Sequence, residues 1–497
     1  MSTLLLALVA LPLVLAIVGI WAPVVVSRYG TVIVGAGVFI MATVLMSTVA
    51  QGRSIEVGSL LRVDALSEVF LIATAFLYGA TAVFCVGYLN ISDGPAGRRY
   101  GRRFYAGLNL FCWSMLLVPL VNGLALLWVA IEITTVVSAL LVAIDDTDGA
   151  TEASWKYVLI ASLGLGIALL ATIIMYYAGS TVFGAAYNLS YTRLLAGASH
   201  FPPGAVRLAF TLAVLGFGTK MGLAPVHTWL PDAHSEAPTP VSALLSGALL
   251  TLSFYAILRY FQLAVKAVGP TFPRTVLLIF GMLSLLLAAL YVLSQRDLKR
   301  LLAYSSVEHM GILAIGASFA APVAIVGVLL HVLAHAAAKG TAFFGAGSVV
   351  RKFRSKDMRD IRGGVGVLPW SGPMFVAAVL ALSAMPPFGL FRSEFLIVQG
   401  GLAGSHDVVV ALVVVLVTLA FFGLSWSTTQ TMLTPDGSGE TDGVPGVPGA
   451  PDKGEVSGWI VASMVIGLVA LLVLGVHPPA VLGDLLHRAA GSLGGAS

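Results

Sequence analysis

Long apolar stretches constrain this chain most, because about fourteen of them are long enough to cross a lipid bilayer. Hydrophobic residues make up 58% of the 497 positions and charged residues only 10%, which excludes an ordinary soluble enzyme, a disordered chain and a nucleic-acid binder. In hydrocarbon every backbone polar group must be bonded within the protein, and stretches this long are not barrel strands. The sequence therefore predicts an all-α polytopic membrane protein with about 14 transmembrane helices. The predicted spans lie near 3–21, 29–50, 66–90, 104–121, 122–143, 155–177, 207–225, 240–265, 274–293, 302–320, 322–349, 371–395, 405–430 and 457–476.

Lysine and arginine are concentrated in three short segments, at 94–103, 294–300 and 351–362. Each segment follows an odd-numbered span, so all three are expected on the same side of the membrane. The positive-inside rule makes that side the cytoplasm and places both chain termini on the other side.

Spans 7 and 12 are interrupted by glycine and proline. Gly222 and Pro225 follow Lys220 in span 7, and Pro386 and Pro387 precede Glu394 in span 12. In transporters, spans broken at matching places in two halves mark the translocation site, and an offset of five spans implies inverted repeats. The predicted units are a three-helix segment at 1–103, inverted five-helix repeats at 104–265 and 266–432, a flexible cytoplasmic linker at 433–456, and a transmembrane helix with a tail at 457–497.

Ionisable side chains inside apolar spans are costly, so each is a candidate functional residue. Glu132 lies in the middle of span 5 and Lys220 in the middle of span 7. A buried lysine whose proton affinity depends on a nearby carboxylate suits a proton relay. The alternative for both residues is a static ion pair that joins helices.

His331, His335 and Lys339 recur at intervals of four in span 11 and therefore share one helix face. Imidazoles and a desolvated lysine can pass protons along such a face. The alternative is metal binding, but this H-x-x-x-H pattern lacks the glutamate of zinc proteases and has no obvious third ligand. Two separate cysteines, Cys85 and Cys112, cannot hold an iron–sulfur cluster. The sequence therefore predicts no metal and no cofactor.

The loop after span 7 carries His227, Asp232, His234 and Glu236 close together. This pattern fits a metal site, a proton entrance or simply a capped start of span 8, and the residues alone leave these open. Glu68 and Lys156 lie near span ends, where anchoring at the membrane interface is the favoured interpretation.

Four strings resemble a known family: WVAIEITTVVSALL, GFGTKMGLAPVHTWLPDAHSEAPTPVSALLSGALL, LKRLLAYSSVEHMG and MPPFGLFRSEF. They are similar to the proton-translocating antiporter-like subunits of respiratory complex I and of Mrp-type cation/proton antiporters. Within that family the chain most resembles component F of hydrogenase 4 and its formate-hydrogenlyase relatives. The resemblance covers about 100–400.

The resemblance implies fourteen helices, two inverted repeats and broken helices 7 and 12. It also implies that Thr251 and Ser246 stand where many relatives carry a lysine or a histidine, so the two halves would be linked through water, His234 or hydroxyl groups. The residues that it assigns to proton translocation are Glu132, Lys220, His331, His335, Lys339 and Glu394, and His234 joins them as a candidate link between the halves.

The resulting hypothesis is a proton-translocating subunit of a hydrogenase-4-like or NADH dehydrogenase-like complex in a prokaryotic cell (inner) membrane. Redox chemistry would belong to partner subunits, namely other membrane-arm proteins and a peripheral nickel–iron hydrogenase-like or NADH dehydrogenase-like module. The alternatives are a subunit of an Mrp-type secondary cation/proton antiporter and a structural subunit with an inactive channel.

Overall fold

A computed structural model describes residues 1–319, 321–434 and 451–493, and nearly all of its regular structure is α-helical. Twelve helices within these ranges are long and apolar enough to cross a membrane. The predicted all-α polytopic membrane class is therefore confirmed.

The helices fall in the order that the apolar stretches predict. Those of the first part are α1 (Ser2–Gly19), α2 (Val24–Val49), α3 (Ala65–Tyr88), α4 (Pro95–Leu117), α5 (Leu124–Val142), α6 (Asp148–Phe183), α7 (Tyr191–Gly197), α8 (Pro203–Met221), α9 (Trp229–Glu236), α10 (Thr239–Leu244) and α11 (Leu250–Val268). Those of the second part are α12 (Thr271–Val292), α13 (Leu298–Phe319), α14 (Pro322–Phe353), α15 (Gly364–Val367), α16 (Ser371–Leu382), α17 (Gly389–Ala403), α18 (Asp407–Met432), α19 (Gly458–Val476) and α20 (Ala480–Leu493). A π-helical turn at Leu245–Leu249 joins α10 to α11, and β1 (Ile55–Val57) pairs antiparallel with β2 (Leu61–Val63).

All fourteen predicted spans are occupied by helix, but two do not appear among the twelve long apolar helices. Span 10 corresponds to α13, whose apolar character is diluted by a polar run that includes Glu308 and His309. Span 12 is divided between α16 and α17, each too short to cross a bilayer alone.

Both predicted helix interruptions are present. Helix α8 ends at Met221, and Gly222 takes a left-handed backbone conformation with φ of 85° before the chain continues into α9. Residues 383–388 separate α16 from α17. The discontinuous helices 7 and 12 are therefore confirmed, and the two inverted repeats remain a prediction.

Span 4 is predicted to begin near 104, which is too late, because the arginines at 98–103 already lie in a helix. Helix α4 already begins at Pro95, because proline fits the first turn of a helix without losing a backbone hydrogen bond. The predicted unit boundary at 103/104 thus falls inside α4.

The three basic segments lie at one end of the bundle. Leu298 N donates to Lys356 O at 2.9 Å, which joins the second segment to the third. Arg351 donates to the backbone oxygen of Tyr88, at the end of the helix that precedes the first segment. Their shared location is what the span count predicts.

The C-terminal part is more structured than predicted. Residues 480–493 of the expected tail form α20, which Gln262 Nε2 anchors by donating to Ser492 O at 2.9 Å. Most of the predicted linker, 435–450, lies outside the described residues. At its far end, Glu455 accepts hydrogen bonds from Trp370 N at 2.7 Å and Ser371 N at 3.0 Å, so it caps the start of α16.

Candidate functional site

Lys220 lies in the last turn of α8 and is completely buried. Its Nζ donates to Thr135 Oγ1 on α5 at 2.9 Å and to the hydroxyl of Tyr157 on α6, and it lies 4.4 Å from the centre of the Tyr157 ring. The position at a helix C-terminus favours a cation, because the carbonyl ends of the backbone point toward it. Hydroxyl groups and the helix end therefore stabilise this lysine.

Glu132 lies one helical turn before Thr135 on α5 and is partly exposed. Its Oε2 atom is enclosed and has no hydrogen-bond partner within the described residues. Among these residues no ion pair joins Glu132 to Lys220, so Thr135 and Tyr157 occupy the positions next to the ammonium group. Neither hydroxyl was identified from the sequence, although Thr135 lies three residues after Glu132 on one helix face.

The region between the two halves is formed by the central helices. Every residue from 239 to 264, in α10, the π-helical turn and most of α11, is buried. Ser246 Oγ, in the π-helical turn, lies 2.7 Å from Ser306 Oγ on α13. Thr251 instead donates to Ala248 O on its own helix at 2.8 Å. Ser246 thus provides a hydroxyl contact between the halves.

His234 is completely buried at the end of α9, with its ring 5.6 Å from that of Phe343 on α14. Phe343 follows Lys339 by one helical turn, so His234 is directed toward the second half of the protein. Neither ring nitrogen has a hydrogen-bond partner in the described part of the chain.

The other polar residues of that loop do not converge with His234. Asp232 Oδ1 pairs with Arg300 at 2.9 Å, and Glu236 Oε1 pairs with Lys356 at 2.5 Å. Within the described residues, His227, Asp232, His234 and Glu236 do not come together as a group of metal ligands.

In the basic segment beyond α14, hydrogen bonds from Arg359 lower the pKa of Asp357 to about 2, so this carboxylate is charged at neutral pH.

The two other predicted interfacial residues differ from each other. Lys156 is half exposed and pairs with Glu152 at 2.7 Å and with Asp232 at 3.3 Å, as expected at a span end. Glu68 is fully buried, and neither carboxylate oxygen has a partner within the described residues, so the interfacial interpretation is wrong for Glu68. Neighbouring helices cover the first turn of α3, so Glu68 does not reach the lipid headgroups.

Lys339 lies in the middle of α14 and is completely buried. Its Nζ donates to Leu302 O at 2.9 Å and to the hydroxyl of Ser305, both on α13. Like Lys220, it is bound by uncharged oxygen atoms.

Three histidines meet beside Lys339. His309 Nδ1 on α13 lies 3.2 Å from His331 Nε2 on α14, and the rings of His309 and His335 are 5.3 Å apart. The other nitrogen of His331 lies 3.0 Å from Ser393 Oγ on α17. Glu394 Oε1 lies 3.9 Å from His309 Nδ1, and the Glu394 side chain is 13% exposed. The cluster therefore reaches from the interior of the bundle to its surface.

Two buried ionisable residues of α13, one of them in this cluster, were not identified from the sequence. His309 and the buried Glu308 belong to the run SSVEHM on α13, and they lie on a different helix from the H-x-x-x-H pattern. The H-x-x-x-H pattern showed no obvious third ligand in the sequence, but the fold supplies candidates: ligand atoms of His309, His331 and Glu394 all lie within 4.8 Å of one another. The arrangement can relay protons through hydrogen-bonded imidazoles or could accept a divalent cation.

Comparison with known proteins identifies relatives along most of the chain. The family described as "NADH:quinone oxidoreductase/Mrp antiporter, TM" matches residues 121–420. A hydrogenase-4 component F homolog from Methylacidiphilum infernorum is 36% identical over 367 residues, which cover 73% of this chain and 76% of that protein.

Two solved structures share the fold over nearly the full length. A chain of the Mrp complex from Dietzia sp. DQ12-45-1b has a TM-score of 0.85 and 19% identity, covering 99% of this chain and 97% of that chain. A chain of respiratory complex I from Thermus thermophilus has a TM-score of 0.81 and 23% identity, covering 99% of this chain and 100% of that chain.

Proposed function

The chain belongs to the NADH:quinone oxidoreductase/Mrp antiporter family of membrane proteins, and from this premise we propose that it translocates protons within a hydrogenase-4-like or NADH dehydrogenase-like oxidoreductase complex. Its partners would be other membrane-arm subunits and a peripheral redox module, in a prokaryotic cell (inner) membrane. Within the complex, protons would move through the buried side chains of this subunit while electrons pass through its partners.

One observation carries the proposal: two completely buried lysines, Lys220 and Lys339, are each bound by uncharged oxygen atoms. A lysine that only joins helices would be expected to pair with a carboxylate, because an unpaired buried charge is strongly destabilising. Hydroxyl and carbonyl partners can remain bound to either the charged or the neutral amine. A lysine in such a setting can gain and lose a proton without its surroundings being rebuilt.

The contacts suggest an order for the proton path. In the first half, Glu132 and Lys220 would exchange protons across the hydroxyls of Thr135 and Tyr157. His234 would connect this half to Lys339, since its ring stacks against the same face of α14. From Lys339 the path would continue through His335 and His331.

His309 would complete this path, because it bridges His331 to Glu394. The partial exposure of the Glu394 side chain makes it the exit or entrance of the second half. The function of His309 is an addition to the residues that the sequence suggested.

The test is proton pumping by the assembled complex in proteoliposomes. Lys220→Ala should leave the complex assembled and abolish proton movement through this subunit. Lys220→Arg should fail almost as completely, because a guanidinium group does not release its proton. The matched control is Lys266→Ala, which removes an exposed lysine at the end of α11. Normal pumping by Lys220→Arg would show that the residue is only a fixed charge.

The same preparation separates proton translocation from secondary antiport. A redox-coupled pump should acidify or alkalinise the lumen only when the electron donor is added. A sodium gradient alone should produce no proton movement. If a sodium gradient drives proton flux without electron transfer, the antiporter alternative is correct.

A further inference from the structure

A cavity of about 1010 Å³ lies where α1, α4 and α5 meet, outside the path described above. One wall carries four arginines of the first turns of α4, namely Arg98, Arg99, Arg102 and Arg103. The lining that α5 contributes is apolar. We propose that this cavity binds an anionic phospholipid, with the phosphate against the arginines and the upper acyl chains against the apolar wall.

The arginine wall has positive charge available for a ligand. In the described residues, the side chains of Arg99 and Arg103 make no hydrogen bond or ion pair, and both are exposed. Arg102 Nε is held by Ala22 O at 3.1 Å, which fixes its guanidinium group at the cavity edge. Asp146 is the single acidic residue in the described lining. Guanidinium groups bind phosphate oxygens in pairs, so this wall suits a phosphate-bearing headgroup.

The apolar wall distinguishes a lipid from a free anion. It is formed by residues such as Val137, Leu140 and Leu141 of α5, and Leu140 is 70% exposed on the outer surface of that helix. Trp21, also 70% exposed, lies next to Ala22, the residue that holds Arg102. Exposed tryptophan marks the level of the headgroups, and basic pockets between helices at that level bind anionic lipids. A free phosphate ion has no apolar part and would gain nothing from contact with the leucine side chains.

The experiment measures lipid binding to the purified full chain by native mass spectrometry, with phosphatidylglycerol, cardiolipin or phosphatidylcholine added. Both anionic lipids should bind in preference to phosphatidylcholine. Each basic residue near an anionic headgroup contributes roughly a fivefold gain in binding, so Arg99→Gln with Arg103→Gln should weaken it about 30-fold. The control double variant, Lys352→Gln with Arg354→Gln, removes the same charge at the end of α14 and should bind normally.

Two further outcomes decide between occupants. Leu140→Asn should weaken binding of the anionic lipids while leaving the arginines intact. If millimolar inorganic phosphate displaces the lipid, or if Leu140→Asn has no effect, the site is an anion site and the proposal is wrong. A photo-crosslinker at position 140 in the assembled complex should label lipid. Its attachment to a neighbouring subunit would identify a protein contact there and would also overturn the proposal.

Discussion

At the scale of single residues, two hydroxyl groups surround the ammonium group of Lys220. Tyr157 places its ring face beside the ammonium group and accepts a hydrogen bond from it through its hydroxyl, and Ser138 Oγ lies 2.7 Å from that hydroxyl. Thr135 provides the other oxygen at 2.9 Å. A proton that moves between Glu132 and Lys220 would therefore pass these two hydroxyl groups. Removal of one hydroxyl should change the rate of proton translocation more than the stability of the fold.

We expect Tyr157→Phe to slow proton translocation roughly tenfold or more while the complex still assembles. A hydrogen bond to a charged group contributes about 1.5–3 kcal/mol, and about 1.4 kcal/mol corresponds to a tenfold change. The measurement is pumping rate per assembled complex. The control is Tyr260→Phe, because Tyr260 is equally buried but its hydroxyl meets Thr172 at 2.7 Å, away from Lys220. Equal effects of the two variants would contradict the role of Tyr157.

The histidine cluster leads to a prediction about metal content. The 3.2 Å separation of His309 Nδ1 and His331 Nε2 is that of a hydrogen bond, and a relay needs these lone pairs to be available to protons. We therefore expect protein purified without a chelator to hold much less than one zinc or iron per chain by elemental analysis. Stoichiometric metal that disappears in His309→Ala would show that the cluster is a metal site instead.

At the scale of helices, close packing positions the broken segments. Gly216 on α8 faces the backbone of α6 so closely that an added Cβ would lie 2.5 Å from Ala168 N and 2.7 Å from Gly164 O. This contact brings Lys220 on α8 and Tyr157 on α6 to the same depth of the bundle. Gly216 therefore allows α8 and α6 to pack closely enough for Lys220 to reach Tyr157.

Gly216→Ala should lower the melting temperature of the purified protein and reduce pumping, because the extra methyl group meets backbone atoms that cannot rotate away. Overpacking of this kind costs about 1–3 kcal/mol. Gly166→Ala on α6 is the matched control, since nothing lies within 4 Å of its added Cβ and alanine favours a helix. Thermal unfolding in detergent checks both variants. An unchanged melting temperature in Gly216→Ala would refute the close-packing account.

Helices and their interruptions could be predicted from sequence because they depend on local composition. Runs of apolar residues gave all fourteen helical positions, and Gly222 and Pro387 lie in the breaks. The partners of the buried charges could not be predicted in the same way. His309 and His331 are 22 residues apart on different helices, and their contact at 3.2 Å depends on how α13 packs on α14.

At the scale of the whole molecule, the polar groups form two clusters joined near the centre. The first surrounds Lys220 and the second surrounds Lys339, and Ser246 contacts Ser306 between them at 2.7 Å. The basic segments lie together at one end of the same bundle. The direction of proton movement can be deduced only once the basic end is assigned to one side of the membrane.

The positive-inside rule assigns the basic end to the cytoplasm, and cysteine labelling tests this. In a background without Cys85 and Cys112, we expect Gly94→Cys, Ser294→Cys and Asp360→Cys to resist a membrane-impermeant maleimide added to whole cells. All three positions are exposed, so their protection would come from the membrane. Ser59→Cys is the control: it lies in the exposed turn between β1 and β2, a loop on the other side of α3, and should be labelled. The reverse labelling pattern would invert the orientation and exchange the entrance and exit of the proton path.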